Sequence, residues 1–333
     1  MKFLSIVVPV FNSGSYIART IQSIIESIRG SEKDVEVILV DDGSTDSSVE
    51  TMGKMTADLN NFKLIAKEHS GVSETRNLGI RHASGNYITF FDSDDIFKSG
   101  YVSRLMNDVK DSEPDFVIMD ADCAELHHTA LETDDERVSL LESLLEIGSF
   151  NCSAGPASKF YRTDFLKEHS IKFDPELVMA EDMMFNFDVI KNAKDVVIDH
   201  FDFYEVLESH SMYRFKEYNL QNELVFNHLL SEYFSDMEYS GTIRPLIKLR
   251  LTGFMFLLNW YFDDLIKTGK ISVADCANQI KRLAEDGGYT EAFSHSEFDS
   301  SIGRKHTVFR KLMKNGHYKL VLRLNRLFWK IKN

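Results

Sequence analysis

The chain contains little cysteine, little proline and no long apolar run. Its three cysteines, Cys123, Cys152 and Cys276, are odd in number and widely spaced, so they form neither a disulfide framework nor a CxxC metal pattern. We expect all three to be reduced and structural. Five prolines in 333 residues, together with 27% charged and 43% hydrophobic residues, are typical of an ordered globular protein rather than of a disordered chain.

The longest apolar run, Gly253 to Phe262 (GFMFLLNWYF), is too short to cross a membrane. It spans ten residues and includes an asparagine, whereas a membrane-spanning helix needs roughly 20 apolar residues. A buried helix explains it better. The N-terminal stretch MKFLSIVVPVF has one lysine and enters Pro-Val-Phe-Asn without a small-residue cleavage site, unlike a secretory signal. These features predict a cytoplasmic protein.

Acidic residues dominate the body of the chain, and basic residues dominate its last 30 positions. The net charge is −14, yet residues 304–333 contain ten Lys and Arg residues and no Asp or Glu. The tail therefore carries +10, and residues 1–303 carry −24. Such a body repels nucleic acid, which we exclude as a partner, whereas the tail attracts polyanions.

Strand and helix patterns alternate along the first 120 residues. The predicted strands are Leu4 to Val10, Val35 to Val40, Phe62 to Ala66, Tyr87 to Phe91 and Asp115 to Met119. The helices predicted between them begin near Ile17, Ser47 and Gly71. Because the strands are apolar on both faces and alternate with helices, they predict an α/β protein whose mostly parallel sheet is covered on both sides.

The alternation of strands and helices ends after about residue 125. Residues 127–136 are polar and predict a loop, and helical patterns follow at Arg137 to Ile147 and Ala180 to Asn192. The last third of the chain is almost only helical in pattern. We therefore predict one domain of residues 1–214, followed by an α-helical C-terminal region of residues 215–333.

Carboxylates cluster at the carboxyl ends of two predicted strands. Asp41 and Asp42 follow the second strand, and Asp92, Asp94 and Asp95 follow the fourth. In open parallel sheets, ligands bind at this edge. Clustered carboxylates raise one another's pKa unless a cation is near, and Mn²⁺ or Mg²⁺ shared with substrate phosphates would provide one. Two other origins remain open: a DxD triplet that arises by chance, and a phospho-acceptor receiver fold.

Several motifs follow one another in the order typical of a known family. They are SIVVPVFNSGSYIARTIQSI, VILVDDGSTD, HSGVSETRNLGIRHASGNYITFFDSDD, SKFYRTDFL and AEDMMFNFDV. Over about residues 3–214 the chain thus resembles an inverting family 2 glycosyltransferase. The resemblance implies the GT-A nucleotide-diphospho-sugar transferase fold, which is Rossmann-like, as well as a UDP-sugar donor and a divalent metal ion, Mn²⁺ or Mg²⁺.

The resemblance implies a donor site formed by Pro9, Val10, Phe11, Asp42, Arg76, Asp92 and Ser93. The first three residues would form the wall beside the uracil and ribose. Asp42 would accept a hydrogen bond from uracil N3, and Arg76 would reach the nucleotide near Asp42. Asp92 would hold the ribose or an outer-shell contact to the metal ion.

The resemblance also implies a general base and a metal site. Asp182 resembles the base that accepts the proton of the attacking acceptor hydroxyl. Asp94 would bind the metal ion that joins the donor phosphates, and His210 falls where related enzymes supply a further metal ligand or a phosphate contact. Lys159 and Glu181 are candidate contacts to acceptor or phosphate. The alternatives are a solvated loop lysine at position 159, and helix N-capping by Glu181 and Asp182.

Apolar residues recur at helical spacing between the cations of the tail. Three interpretations of this pattern stay open. The tail is a helix packed on the protein's own body, or residues 304–333 form an interfacial helix that binds anionic lipid at a membrane surface, or residues 215–333 form a module for homo-oligomerisation.

Together these features predict a metal-dependent inverting transferase. It would move a sugar from a UDP-sugar to a hydroxyl of a glycan, lipid-linked or protein-linked acceptor during assembly of a bacterial surface polysaccharide, peripheral on the inner face of the membrane if the tail binds lipid. The alternative is a catalytically silent nucleotide- or glycan-binding subunit that partners an active transferase. Glu205 favours this alternative, because the family has a basic residue near that position.

Overall fold

The computed structural model of the chain describes residues 2–120, 127–148, 152, 154–207, 216–239 and 243–332. The chain folds into two compact units, Met1–Ser209 and His210–Asn333. The first unit is α/β and the second is helical. The predicted domain boundary at residue 214 lies outside the described residues.

The first unit is built on an eight-stranded sheet with the order β3-β2-β1-β4-β8-β6-β9-β7. Its strands are β1 (Lys2–Val10), β2 (Val35–Asp41), β3 (Phe62–Ala66), β4 (Gly85–Phe90), β6 (Phe116–Asp120), β7 (His127–Ala130), β8 (Lys159–Arg162) and β9 (Asp195–His200), and a separate antiparallel pair consists of β5 (Ile96–Phe97) and β10 (Tyr204–Glu205). Strands β1 to β4 pair in parallel, as do β6 and β9. Strand β8 is antiparallel to β4 and β6. The predicted mostly parallel sheet is thereby confirmed.

Seven helices connect these strands within the described part of the first unit: α1 (Ile17–Ser27), α2 (Ser48–Thr56), α3 (Val72–His82), α4 (Tyr101–Asp108), α5 (Asp134–Leu144), α6 (Thr163–Glu168) and α7 (Glu181–Asn192). Helix α3 lies directly against β1, because Gly79 has no side chain. A Cβ at Gly79 would lie 2.3 Å from Cγ1 of Val7, a distance that no packed side chain tolerates. The glycine therefore sets the height of α3 above the central strand.

The predicted loop at residues 127–136 is wrong. His127–Ala130 forms the edge strand β7, which pairs antiparallel with β9. Helix α5 then begins after Thr133, whose hydroxyl accepts from the Glu136 backbone N–H while the Glu136 carboxylate accepts from the Thr133 N–H. An edge strand has a polar sequence because one edge and one face meet water, so it lacks the apolar signal of the central strands.

The second unit consists of helices among its described residues: α8 (Asn219–Ser235), α9 (Arg244–Leu257), α10 (Asp263–Lys267), α11 (Val273–Asp286), α12 (Tyr289–Ala292), α13 (Asp299–Lys314) and α14 (Tyr318–Lys332). A π-helical turn, Leu258–Phe262, joins α9 to α10. The apolar run Gly253 to Phe262 lies in α9 and this turn, and most of its large side chains are buried, as predicted. In the described ranges, no helix is both long enough and apolar enough to span a bilayer.

A buried carboxyl group lies between two helices of the second unit. Glu223 of α8 packs against Gly253 of α9, where a Cβ would lie 2.2 Å from Glu223 Oε1. The Tyr289 hydroxyl donates a hydrogen bond to the same oxygen at 3.0 Å. Burial raises the pKa of Glu223 to about 8, against the opposing effect of the Tyr289 hydrogen bond.

A buried arginine of α9 has mostly neutral partners. Arg250 donates from Nε to Asn227 Oδ1 at 3.0 Å and from Nη2 to Ser231 Oγ at 2.9 Å. The carboxylate of Glu291 is 4.0 Å from Nη1 and largely exposed. Burial lowers the pKa of Arg250, because no close carboxylate compensates for the lost hydration.

Part of the basic tail packs on the helical unit. Phe309 and Met313 of α13 are buried, as are Val321 and Leu322 of α14. The first of the three interpretations of the tail therefore holds for this side of the two helices. Among the predicted structural cysteines, Cys152 and Cys276 are buried, and Cys123 lies outside the described residues.

Candidate active site

The loops at the carboxyl ends of β1 and β2 are joined by hydrogen bonds. Asn12 has a left-handed backbone conformation, with φ of 49°. Its Oδ1 accepts from the Thr45 N–H and its N–H donates to Ser44 Oγ, both at 2.9 Å. The Ser13 N–H donates to Ser48 Oγ at 2.9 Å. The sequence segments FNSGS and DDGSTDSS thus form one rigid floor at this edge of the sheet.

The adjacent acids Asp41 and Asp42 have different structural roles. Asp41 accepts hydrogen bonds from the N–H groups of Gly43 and Ser44 at 3.1 and 3.2 Å, which is the arrangement of an Asx turn. This carboxylate stabilises its own loop. Asp42, in contrast, turns toward residues 67–71.

Asp42 binds four groups of the loop that precedes α3. Its carboxylate accepts from the N–H groups of Ser70 and Gly71 at 2.9 and 3.0 Å and from the ammonium of Lys67. Nδ1 of His69 lies 2.9 Å from its Oδ2. Burial acts to raise the pKa of Asp42, but the Lys67 hydrogen bond and the backbone donors outweigh it and the pKa is lowered. Asp42 is therefore charged, and an incoming donor must share or replace one of these partners.

An exposed aromatic surface lies beside Asp42. Phe11 follows the buried residues Pro9 and Val10 and is 45% exposed. Its ring stacks on the imidazole of His69, with 4.3 Å between centroids and 20° between planes. Phe11 and His69 thus offer a flat face next to a carboxylate, which suits a nucleobase. His69 and Lys67 were not predicted, although the HSG segment of the quoted motif contains the histidine.

Arg76 connects three parts of the site. It is 4% exposed on α3; its Nη1 donates to Glu181 Oε1 at 2.8 Å and its Nη2 to Asp92 Oδ1 at 3.0 Å. Burial acts to lower its pKa, but Asp92, Glu181 and Asp182 outweigh burial and raise it. Among described residues, Nε has no hydrogen-bond partner. Arg76 is thus a fixed cation among three carboxylates, and its direct partners are Asp92 and Glu181 rather than Asp42.

Asn77 positions the residue beneath Arg76. Its Nδ2 donates to the Phe173 carbonyl and its Oδ1 accepts from the Phe173 N–H, both at 2.8 Å. The guanidinium of Arg76 lies 5.2 Å from the Phe173 ring centroid, and this ring stacks on Phe185 at 4.0 Å. Asn77 was not predicted, although it follows Arg76 in the ETRN motif. Its reciprocal pair fixes the floor under the cation.

Glu181 and Asp182 are the first two residues of α7, after Ala180 in a left-handed conformation with φ of 65°. N-capping by these acids is not observed, since Ala180 occupies the N-cap position. Asp182 Oδ1 accepts from the Met183 N–H at 2.8 Å. Burial raises the pKa of Asp182 and Asp92 adds to it, although Arg76 and Lys159 act in the opposite direction. Burial and Asp182 likewise raise the pKa of Glu181.

Lys159 is not a solvated loop lysine. It is the first residue of β8 and is fully buried, and its ammonium donates to the Gly155 carbonyl at 2.6 Å. Its positive charge acts on Asp182. The structure thus shows a buried lysine that stabilises the charged form of Asp182, whereas its contact with acceptor or phosphate stays a prediction.

Residues 92–95, which come after Phe91 just beyond the end of β4, are of two kinds. Asp92 and Asp94 are partly exposed, and Ser93 Oγ is 2.8 Å from Ser13 Oγ. Asp95 is 3% exposed and accepts from the Tyr204 hydroxyl and from the backbone N–H of residue 207. Burial raises the pKa of Asp95 to about 6, with further contributions from Asp92 and Asp94. Asp95 therefore holds β10, whereas Asp92 and Asp94 are the partly exposed acids of this segment.

Within the described residues, no group of three or more His, Cys, Asp and Glu side chains is arranged to hold a metal ion. His210 lies outside the described residues, so its predicted role stays a prediction. The donor set nevertheless fits a hard divalent ion. Asp92 and Asp94 supply carboxylate oxygens, and each of the two acids raises the pKa of Asp95; Mg²⁺ is usually bound by only one or two carboxylates plus substrate phosphates.

Comparison with known proteins identifies the family. Residues 5–164 match the model of "Glycosyl transferase family 2". Similar curated proteins are EpsH of Bacillus subtilis, 30% identical over 55% of this chain and 54% of that protein, and the poly(ribitol-phosphate) beta-glucosyltransferase of Bacillus spizizenii, 28% identical over 62% of this chain and 32% of that protein. The chain spans about half or less of the length of these relatives.

A solved structure shows the same fold over both units. Staphylococcus aureus TarS 1–349, crystallised in complex with UDP-GlcNAc, is 16% identical and has a TM-score of 0.67, covering 99% of this chain and 92% of that one. The GT-A fold with a helical C-terminal region is thereby confirmed. The match of residues 5–164 to the family model identifies a glycosyltransferase family 2 domain in this part of the chain, and the GT-A fold agrees with it.

Proposed function

We propose that the protein is an inverting glycosyltransferase that moves a sugar from a UDP-sugar to an acceptor hydroxyl. The observation that carries the proposal is Asp182, a partly exposed carboxylate with a raised pKa at the carboxyl edge of the sheet. It lies among the charges of Arg76, Asp92 and Lys159. A base in this setting accepts the proton of an attacking hydroxyl, and the direct displacement that follows inverts the anomeric carbon.

The donor-binding part of the proposal rests on the surface formed by Phe11 and His69 beside Asp42. The ring face packs on the uracil, and the charged Asp42 carboxylate accepts from uracil N3–H by exchanging one of its loop partners. TarS was crystallised with UDP-GlcNAc and with UDP, which supports a uridine nucleotide here. Pro9, Val10 and Ser93 complete the lining of this side.

Asp94, with Asp92 beside it, would hold Mn²⁺ or Mg²⁺. When bound, such an ion stabilises the negative charge of the departing diphosphate. Arg76 holds Asp92 by a hydrogen bond at 3.0 Å, so the first of the two acids is oriented before any ligand arrives. His210 is proposed as a further ligand or phosphate contact.

We propose a bacterial surface glycan as the acceptor. Several relatives are named for glycosyl transfer to poly(ribitol-phosphate), which supports a polyol or sugar hydroxyl on a polymer or on its lipid-linked or protein-linked precursor. Lys159 and Glu181 stand next to the base and are proposed to position this acceptor, Lys159 indirectly through Asp182.

The test compares wild type with Asp182→Asn by two measurements, release of UDP from a panel of UDP-sugars with Mn²⁺, and UDP affinity by calorimetry. We expect the variant to lose about 10²–10⁴-fold in rate and to bind UDP like the wild type. Because the pKa of Asp182 is raised, the wild-type rate should fall, as pH drops, already above the ordinary aspartate pKa of about 3.9.

The control is Asp188→Asn, a partly exposed acid later on α7. Equal rates for Asp182→Asn and wild type would refute the role of the base. If the wild type binds UDP but releases none from any donor, the chain is the silent binding subunit. In Asp94→Ala, UDP binding should lose its dependence on Mn²⁺, and an unchanged dependence would remove Asp94 from the metal site.

A further inference from the structure

Helix α14 has one side that is anchored in the helical unit. Tyr318, Val321 and Leu322 are buried, and the fully buried Asn325 donates from Nδ2 to the Leu258 carbonyl of the π-helical turn at 3.2 Å. The contact ties the middle of α14 to α9 and α10. The orientation of the helix about its own axis is therefore fixed by its own unit, before any partner binds.

A second side of α14 is apolar and exposed. Leu320 is 44%, Leu327 54% and Phe328 43% exposed. Their spacing of seven and eight residues places them within about 100° of one another around the helix, at about 100° per residue. We call these three residues the apolar ridge. Phe328 also meets the buried ring of Phe309 edge to face, with 6.1 Å between centroids, whereas the fully buried side of the helix is formed by other residues.

Cations lie along the edge of the apolar ridge. Lys319, Arg323 and Arg326 recur at intervals of three and four residues and thus share one side of α14. Among the described residues, none of the three has a carboxylate within 4.0 Å, whereas Arg310 of α13 is paired with Asp299 at 2.6 Å. We call these three residues the cation row. It has no acidic neighbour in sequence, since the last 30 residues contain no Asp or Glu.

From this arrangement we propose that α14 binds the surface of a membrane that contains anionic lipid, with the apolar ridge in the acyl boundary and the cation row on the lipid phosphates. An exposed apolar row beside an unpaired cationic row is the pattern of a helix that lies in the interface plane. Nucleic acid would use the cations but leave the ridge in water, and the acidic body would oppose it. The proposal is independent of the reaction proposed above.

The experiment sediments the full chain with vesicles of phosphatidylcholine alone or mixed with phosphatidylglycerol, without any sugar donor. The wild type should bind the mixed vesicles, and added salt should weaken the binding because it screens the charges. The variant Leu320→Ser/Leu327→Ser/Phe328→Ser should bind more than about tenfold more weakly, since it removes three large apolar side chains from the interface. Its unfolding temperature should fall only slightly, because the three side chains are about half exposed and only the ring of Phe328 contacts a buried ring.

A second variant separates the two rows. Lys319→Gln/Arg323→Gln/Arg326→Gln keeps the apolar ridge and should lose the preference for mixed over neutral vesicles. The matched control is Val49→Ser/Leu64→Ser, which removes two exposed apolar side chains from the first unit and should sediment like the wild type.

Three results would overturn the proposal. Vesicle binding could be unaffected by the serine variant, or the glutamine variant could keep its lipid preference. Alternatively, the wild type could ignore vesicles and form a dimer in light scattering that the serine variant dissociates, in which case the apolar ridge contacts a second copy of the chain.

Discussion

Two buried arginines of the described residues, Arg76 and Arg250, have opposite surroundings. Arg76 donates to the carboxylates of Asp92 and Glu181, and its pKa is raised. Arg250 donates to the neutral side chains of Asn227 and Ser231, and its pKa is lowered. The first lies in a surplus of negative charge and the second has no close counter-charge.

This difference in surrounding charge distinguishes a proposed ligand-binding site, around Arg76, from structural hydrogen bonds, around Arg250. Asp182 is a third acid near Arg76, so the cluster keeps more negative than positive charge at the edge where ligands of such sheets bind. Groups whose ionisation is strongly perturbed in this way gather at functional sites. The hydrogen bonds of Arg250 instead join helices α8 and α9, so this arginine has a structural role.

The sharpest test of the comparison is to remove each guanidinium. Arg76→Met should lower the free energy of unfolding by about 3–5 kcal/mol, because it leaves the buried carboxylate of Glu181 and the partly exposed carboxylate of Asp92 without their cation. Arg250→Met should cost less, about 1–3 kcal/mol, since only neutral groups lose a hydrogen bond. Urea denaturation measures both. Arg81→Met, at an exposed position of α3, is the control and should stay within about 0.5 kcal/mol. Equal losses at positions 76 and 250 would contradict the comparison.

The buried acid of the helical unit provides the next test. The pKa of Glu223 is raised from 4.5 to about 8, so the folded state holds this proton more tightly than the unfolded state. Its stabilising contribution is complete below pH 4.5 and is lost as pH rises toward 8. Across this window the free energy of unfolding should fall by up to about 1.4 kcal/mol per pH unit.

In Glu223→Gln the contribution of Glu223 to this slope should disappear, and the variant should be more stable than the wild type at pH 8. Denaturation at several pH values measures the slope, with the exposed Glu217→Gln as the control. If the slope is unchanged in Glu223→Gln, the proton is bound elsewhere. Glu181 and Asp182 also have raised pKa values and contribute a slope of the same sign, so the quantity to compare is the difference in slope between the variant and the wild type.

The smallest effect is expected at Asn77. In Asn77→Ala the Phe173 backbone loses both hydrogen bonds, at a cost of about 1–3 kcal/mol, and the ring beneath Arg76 is free to shift. We expect the rate of sugar transfer to fall with the stability. Asn192→Ala, which loses one hydrogen bond to its own helix at the Asp188 carbonyl, is the control. If Asn77→Ala has the stability and the rate of the wild type, the hydrogen bonds of Asn77 to Phe173 are not needed to position Arg76.

The sequence predicted the central sheet and the edge where the site lies, because the strands β1, β2 and β4 are apolar on both faces and acids stand at the ends of β2 and β4. Edge strand β7 was not predictable from polarity, and β8 was missed because it is four residues long. The sequence analysis predicted Asp92, Arg76 and Asp182 as separate site residues. It did not predict that Arg76 donates to Asp92 and Glu181, because these contacts depend on how α3 and α7 pack together, and no local sequence pattern encodes that packing.

The partners of Asp42 were also beyond the sequence. Lys67 and His69 lie 25 and 27 residues further along the chain, and β3 returns the backbone to Asp42 only because it pairs in parallel with β2. The same holds for Asp95, whose partner Tyr204 is 109 residues away. Contacts at such separation arise from topology, whereas the turn around Asp41 is encoded within three residues.

The contrast between Asp41 and Asp42 has a consequence for how relatives should vary. Asparagine or serine can form the turn that Asp41 forms, since an Asx turn needs only a short acceptor. Asp42 cannot be exchanged so freely, because a neutral side chain would leave Lys67 without its counter-charge and the Ser70 and Gly71 N–H groups without an anionic acceptor. We therefore expect the residue at position 41 to vary more among relatives than the residue at position 42. Position 41 has only to form a turn, whereas position 42 is proposed to bind the nucleotide.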